Sequence, residues 1–362
     1  MRPAELPKED WLSWEWTWAY QGMSENEHAN TLELWGNTDK SDPLVVLLAN
    51  LAETSYTRII RHIAVRPGGR TPADVLGTCS VYIELQDGEG DEAAVWTMVR
   101  PDARRQGIGT ALFAKIEEVL AREGRTTVDC GTYEVPEPAP GEGVITAPTG
   151  SGRISVNTDA ARFVMQRGFV LGQVGRESRL DMPSDLTDLR RHRDEALVKA
   201  GADYRLHFWD TEVPEQFHEG CAALLTAQST EMPHGEIDRF ESVWDAARYR
   251  EQLETIAKGG ERFMVLAAEH VPTGELVAYN EIGVAASGVS GWQGDMIVLP
   301  AHRGHRLGLL TLAEGLLRMA ELCPTVERVY TWNAEENVPA LAISVACGFR
   351  PAGVEAEWQR KR

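Results

Sequence analysis

Cysteine is scarce in this sequence and never paired: five residues (Cys79, Cys130, Cys221, Cys323 and Cys347) stand at wide spacings with no C-x-x-C. That pattern supports neither a disulfide framework nor a zinc site, and no metal is expected. No apolar run approaches the roughly 20 residues that cross a bilayer. The opening Glu5 to Asp10 lacks the basic flank and small-residue cleavage site of a signal peptide, so a cytoplasmic protein with no membrane partner is expected. Basic residues are in deficit, 36 Lys and Arg against 55 Asp and Glu. Both halves share it, with 18 against 26 in residues 1–180 and 18 against 29 in 181–362. A phosphate-backbone surface needs clustered cations, so no nucleic-acid partner is expected. The acidity suits a cationic small molecule, although a solvated acidic surface is the simpler account. Also missing are the Rossmann G-x-G-x-x-G and the Walker G-x-x-x-x-G-K-[ST] spacings, which argues against a dinucleotide enzyme and a nucleotide kinase.

What the 362 residues do contain is ordinary globular composition, 43% apolar and 25% charged, in a length that suits two domains. They also contain a repeat. Val95 to Leu112 reads as an apolar run ending at Pro101, a basic glycine-bearing loop, then an apolar-periodic helix from Thr110 to Arg122. Asp295 to Leu310 repeats that grammar through Pro300 and leads into a helix from Leu309 to Glu321. A second shared element follows each: Asn157 with an apolar helix ending at Gly168-Phe169, and Asn337 with another ending at Gly348-Phe349. The loops are offset by 199 residues (Arg104 to Arg303) and the asparagines by 180, so the first copy carries 19 extra residues. The Pro- and Gly-rich stretch Tyr133 to Gly152 accounts for them and reads as an irregular surface loop.

Upstream of each loop the pattern is antiparallel sheet: Tyr56 to Val65, Val75 to Leu85 and Ala93 to Val99 in the first copy, Phe263 to His270 and Leu276 to Val284 in the second. The charged stretch from Ser184 to Lys199 reads as a capped connecting helix. The expected organisation is therefore an N-terminal domain over 1–180, a linker helix over 181–200 and a C-terminal domain over 201–362. The fold class is mixed α/β, each domain a twisted, mainly antiparallel sheet flanked by helices and splayed near Val99 or Val298.

A glycine-bearing turn entering a helix offers unpaired N–H groups and the positive end of the helix dipole, which together suit a diphosphate. One R-x-x-G-x-G is a weak signal; two, each after a strand and each followed by Asn and Gly-Phe, are strong. With these residues the chain resembles the GNAT acetyltransferase superfamily, and in particular its tandem-domain members. Arg104-Arg105-Gln106-Gly107-Ile108-Gly109 satisfies that family's Q/R-x-x-G-x-G/A loop, and Thr110 opens the helix behind it. The resemblance implies an acetyl-CoA site in which the loop amides hold the pyrophosphate, the strand around Val99 or Val298 pairs with the pantetheine arm, and Asn157 and Asn337 contact that arm. The second loop, Arg303-Gly304-His305-Arg306-Leu307-Gly308, departs from the pattern by placing Arg306 where its first glycine belongs. Val164 and Ser344 stand where many members place a proton-donating tyrosine.

Acyl transfer to an amine needs the amine neutral, so a carboxylate or an ordered water near the splayed strands is the expected base. Glu281 and Asp295 are the candidates in the second half, with Glu84 read as the first-half counterpart of Glu281. A solvated strand-end carboxylate is the plainer account of each. Between two helical segments, Glu231 to Asp238 holds His234, Glu236 and Asp238; the resemblance makes this loop a substrate lid, with a polar helix connection as the alternative. Trp14, Trp16, Trp18 and Tyr20 alternate with polar residues and would share one face of a strand.

The expected function is N-acetyl transfer from acetyl-CoA to a small-molecule amine, with room for a homodimer. Two alternatives stand beside it: a protein amine as acceptor, or a non-catalytic acyl-CoA-binding or regulatory protein with two GNAT domains. The second half is favoured for the chemistry and the first for binding CoA.

Overall fold

The computed structural model describes residues 17–50, 54–85, 90–183 and 185–362. Its framework is one eleven-stranded sheet. The first half contributes β1 (Thr57–Val65), β2 (Val75–Glu84), β3 (Glu92–Val99), β4 (Thr127–Glu134) and β7 (Val170–Asp181), together with a small hairpin of β5 (Val144–Thr146) and β6 (Arg153–Ser155). The second half contributes β8 (Tyr204–Asp210), β9 (Arg262–His270), β10 (Glu275–Val284), β11 (Ser290–Val298), β12 (Arg328–Ala334) and β13 (Arg350–Lys361). The hairpin sits inside Tyr133 to Gly152 and the residues just after it, so that stretch is less irregular than its proline and glycine content suggested.

Every pair in the large sheet is antiparallel except β3 with β4 and β11 with β12, each of which holds only three rungs, Glu92 to Ala94 and Ser290 to Trp292. Beyond those rungs the strands part, so the expected splay occurs in both halves. On one face of the sheet lie α3 (Ile108–Arg122) and α8 (Leu307–Leu322); α3 buries Leu112, Phe113, Ile116, Val119 and Leu120, the stripe of an amphipathic helix. On the other lie α1 (Thr17–Trp35), α2 (Leu44–Ala49), α6 (His218–Glu231) and α7 (Ala246–Lys258). The short α4 (Asp159–Met165) and α9 (Val338–Ala346) precede the Gly-Phe turns, and α5 (Thr187–Ala200) is the connecting helix. Among the described residues no helix is long and apolar enough to cross a membrane.

Helix α1 corrects one expectation. Trp14 and Trp16 lie outside the described residues, whereas Trp18 and Tyr20 are in the first turn of a helix and not in a strand. Its buried face mixes Ala19 and Met23 with Ser24 and Asn26, and Asn26 Nδ2 donates to Thr78 Oγ1 and to the Met98 carbonyl. A helix that buries polar groups shows no apolar stripe, so the aromatic alternation dominated the pattern. The helical layer of the first half accordingly comprises α1 as well as α2.

The strand order is β1-β2-β3-β4-β13-β7-β12-β11-β10-β9-β8. The last strand of the chain therefore closes the first half's sheet beside β4, and the last strand of the first half closes the second half's sheet beside β12. The two exchanged strands pair with each other from Arg350 with Arg179 to Gln359 with Val170. Val354, Ala356 and Trp358 are thus core residues of the first half, and Leu180 is a core residue of the second.

Trp358 is 1% exposed and its Nε1 donates to Thr132 Oγ1 at 2.8 Å. Trp358→Ala is expected to cost about 3–5 kcal/mol, the range for deleting a large buried aromatic. Urea unfolding monitored in both halves should show one shared transition moving to lower denaturant; a loss confined to residues after 201 would contradict the exchange.

Candidate active site

The two loops share one backbone conformation although their sequences differ. Arg105 and Gly107 have φ of +63° and +82°, and the residues 199 positions on, Gly304 and Arg306, have +85° and +59°. Each loop thus places one glycine and one arginine in left-handed geometry, where a side chain costs roughly 1–2 kcal/mol. Arg306 does not distort the turn that Gly107 makes, because its backbone adopts the same state. A Cβ built at Gly107 or Gly304 meets nothing within 4 Å. Behind these turns α3 and α8 make their first internal bonds from Ala111 N to the Gly107 carbonyl and from Leu310 N to the Arg306 carbonyl. The amides of each first turn, including Ile108, Gly109 and Thr110 or Leu307 and Gly308, face the open end of the helix. The donors available suit an anionic diphosphate.

The arginines around the loops are differently used. Arg104 turns back to the Val99 carbonyl at 3.4 Å and pairs with Glu33; Arg303 turns back to the Val298 carbonyl at 3.1 Å and pairs with Glu231 at 2.8 Å. Both are struts from the loop to the ends of α1 and α6. Arg105 reaches Asp159 at 3.1 Å and Arg306 reaches Glu195 at 3.4 Å, both exposed. Gln106 is exposed. Tyr204 Oη joins His302 Nδ1 at 3.0 Å and His305 Nδ1 at 3.4 Å beside the second loop. Asn337 caps α9 by accepting from Ala340 N at 3.3 Å, whereas Asn157 precedes the α4 cap, Thr158, and accepts from Arg162 Nη2 at 2.9 Å.

The halves diverge on their central strands. In the first, β2 and β3 pair without interruption from Gly77 with Val99 to Tyr82 with Ala94. In the second, the register shifts between Asn280, opposite Met296, and Ile282, opposite Gln293, so Gly294 and Asp295 bulge outward against Glu281. That bulge brings two carboxylates together. Glu281 is 5% exposed, accepts from Tyr279 Oη at 2.9 Å and is bonded by the Asp295 backbone N–H. Asp295 accepts from Gln228 Nε2 at 2.6 Å. A Cβ at Gly294 would lie 2.4 Å from Glu281 Oε1, so only glycine leaves room for the carboxylate. Burial, and then the neighbouring Asp295 charge, pushes the Glu281 carboxyl well above the carboxylate range; burial also raises Asp295, against the opposing Gln228 bond. The pair titrates as one unit, which can hold a proton near neutrality.

Counting three residues from the matching rungs places Ser80 and Trp96 where Glu281 and Asp295 stand. Glu84 is not on the corresponding rung. It lies at the end of β2 opposite Thr57, and its Oε2 accepts from Arg248 Nη2 at 3.2 Å and from Ser242 Oγ at 3.4 Å.

Both splays open into one chamber of about 610 Å³ whose walls include Asp295, Gln228, Glu84, Trp96, Trp332 and Asn337. The α6–α7 connection covers it, with Glu236 N donating to the Gly172 carbonyl, Gln359 bridging Asp238 and Asp129, and Arg239 paired with Glu357. Of the three expected lid residues, His234 reaches the chamber wall; Glu236 and Asp238 are not among its lining residues, and the Asp238 carboxylate pairs with Lys361. Gln228, Trp96, Trp332 and Arg239 escaped the sequence reading, since only the register and the helix packing place them here. Among the described residues no cluster of three His, Cys, Asp or Glu converges as metal ligands.

Residues 14–136 match the acetyltransferase (GNAT) family. No curated protein matches the chain. Among solved structures, a tandem GNAT protein from the clavulanic acid biosynthesis pathway is similar at 24% identity and a TM-score of 0.70, with 94% of each chain covered. A GCN5-related N-acetyltransferase from Sphaerobacter thermophilus is similar at 15% identity and a TM-score of 0.57, covering 94% of this chain and 92% of its own. These likenesses extend through both halves and concern the fold.

Isotope-edited NMR of the side-chain carboxyl carbons should find Glu281 titrating above the ordinary carboxylate range. Asp295→Asn removes a like charge and is expected to move that titration downward. An unchanged Glu281 titration would show that the two carboxylates do not interact.

Proposed function

Because residues 14–136 match the GNAT family and both halves share the fold of a tandem GNAT protein, we propose that the chain transfers an acetyl group from acetyl-CoA to an amine of a small molecule, with the chemistry in the second half. The carrying observation is the bulge that pairs Glu281 with Asp295 on a strand leading straight to a diphosphate-shaped loop, in a half whose partner has Ser80 and Trp96 instead. The open turns at Gly107 and Gly304 and the free first-turn amides fit the CoA diphosphate. The bound thioester would supply an activated acyl carbon beside β11.

The residues of the chain do the rest. An amine reaching the chamber beside Asp295 gives up its proton to the Glu281–Asp295 pair, whose raised affinity for protons matches a base acting near neutrality. The amine nitrogen then bonds to the acyl carbon and the carbon–sulfur bond breaks, the electron pair leaving on sulfur, and the surplus proton on the new amide nitrogen is released to the thiolate or to water. Ser344 does not protonate that sulfur in this reading: it is 1% exposed and its hydroxyl is donated to the Ala340 carbonyl at 3.2 Å. A thiolate is a tolerable leaving group without an acid. The lid and a chamber of about 610 Å³ suit a small acceptor. The first half serves as a cofactor-binding or structural partner, since its matching rung holds no carboxylate and Glu84 is tied to Arg248.

Free-thiol release from acetyl-CoA with a panel of amines tests the activity. Glu281→Gln and Asp295→Asn should each lower kcat/KM, on the order of 10²-fold for whichever is the base. Full activity in both, with loss in Glu84→Gln, would move the chemistry to the first half.

Calorimetry of CoA binding separates the loops. Gly107→Val forces a β-branched residue into a φ of +82°, which disturbs the turn, and is expected to abolish one class of site; unchanged binding would show that the first loop holds no CoA.

A further inference from the structure

The chamber is more acidic than a general base requires. Its walls carry six carboxylates, Glu84, Glu92, Asp129, Asp295, Glu355 and Glu357, against two guanidiniums, Arg125 and Arg239. Arg125 is turned to the Gly90 carbonyl and Arg239 to Glu357. An amine about to attack a thioester is neutral, so it cannot answer this charge during the reaction. Glu84 and Glu357 already have Arg248 and Arg239, and a second cationic group that keeps its charge throughout would answer the rest.

The register shows where that group would sit. Glu92, Ala94 and Trp96 alternate along one face of β3, and Ala94 lies directly beside Asp129 of β4, whose side chain shares that face. Small Ala94 forms a floor with a carboxylate on two sides and an indole on the third. Trp96 is 42% exposed, an unusual state for tryptophan on a central strand, and it lines the chamber. Glu92 Oε1 is buried without a hydrogen-bond partner; burial and then the Asp129 charge push its carboxyl up to about 7. A cation would satisfy that oxygen and lie over the Trp96 ring.

At the other end of the chamber Gln228 is 5% exposed, spends its Nε2 on Asp295 and leaves its Oε1 without a partner. A buried carbonyl at the wall of a cavity, beside the base, calls for an N–H donor from a ligand. The protein already meets the same chemistry with its own side chain elsewhere: Lys40 pairs with Glu177 and lies 4.4 Å from the centre of the Trp35 ring and 5.6 Å from that of Tyr133.

We propose that the acceptor is an elongated amine with a second cationic centre, the reacting nitrogen held by Gln228 Oε1 beside Asp295 and the permanent cation held by Glu92, Asp129 and Trp96. The proposal rests on the acetyl-transfer reading and names its substrate class. β11 lies four strands from β4 and five from β3, roughly 19 to 24 Å between backbones at roughly 4.8 Å per spacing, and the side chains of Asp295, Asp129 and Glu92, all lining the chamber, reach in to shorten that span. A long spacer therefore fits better than a short one.

The test compares diaminooctane with octylamine, and diaminobutane with butylamine, as acceptors for the full chain with acetyl-CoA. It also measures their binding to the CoA-loaded protein by calorimetry. Diaminooctane is expected to show a KM at least tenfold below octylamine, with a smaller advantage for diaminobutane. Glu92→Gln should raise KM for diaminooctane about tenfold with little change in kcat, and Trp96→Leu should act in the same direction. Equal KM for diaminooctane and octylamine, or an advantage that survives Glu92→Gln, would overturn the proposal. Thiol release without any diamine preference removes the second cation seat but keeps acetyl transfer. Tight, Glu92-dependent diamine binding without thiol release keeps the seat and removes the transfer reaction.

Discussion

Everything at the centre of this protein depends on the pairing of β7 with β13, two strands that each close the sheet of the opposite half. A strand lent in both directions makes the halves one hydrogen-bonded unit, because removing either leaves an unpaired edge and opens a core. Trp358 fills the first half's interior from the far end of the chain, and Leu180 does the reverse. The exchange also sets where the splayed strands face. Since β4, β13, β7 and β12 are contiguous, the gap beside β3 and the gap beside β11 open into the same chamber instead of two separate clefts.

Within that shared frame the two halves keep the same turn and differ in the strand before it. The loop backbone is held by φ values that recur at an offset of 199 residues with glycine and arginine interchanged. An anion site made from backbone amides tolerates this interchange, because the donors are not side chains. A base does not tolerate it. Glu281 and Asp295 meet only because β11 bulges at Gly294, and the uninterrupted ladder of β2 and β3 leaves Ser80 and Trp96 in their place.

The helix connections complete the arrangement by reaching across. The α1–α2 connection sends Asp39 to Arg328 and Tyr330 and Lys40 to Glu177, while the α6–α7 connection sends Arg239 to Glu357 and Asp238 to Lys361. Each places a cation against a carboxylate of an exchanged strand, which limits the cost of so much buried negative charge. The struts from Arg104 to Glu33 and from Arg303 to Glu231 tie each loop to the helix that leads into these connections.

Local pattern alone determined a large part of this. Alternating runs located β1, β2, β3, β9 and β10 to within a residue or two, the apolar stripes located α3 and α8, and two proline-loop-glycine segments declared the repeat. These signals are legible because they depend on neighbours a few positions away. The amphipathic face of α1 was not legible, since it buries Asn26 against β2 and β3 and Ser24 against the Asp42 carbonyl where periodicity leads one to expect apolar groups. Nor was the pairing partner of β4: β7 and β13 have compatible faces and both follow a Gly-Phe turn, so nothing local distinguishes a closed half from an exchanged one. The candidate base was half visible. Glu281 and Asp295 could be named as carboxylates on adjacent strands, but their meeting depends on a one-residue register shift and a glycine whose missing side chain makes space. Glu84 looked equivalent by position along its strand and is not, because equivalence is set by hydrogen-bonded rungs. Sequence determines which short segments become strands, turns and helices; only the tertiary structure decides which carboxylates share a cavity, because that depends on contacts between residues more than a hundred positions apart.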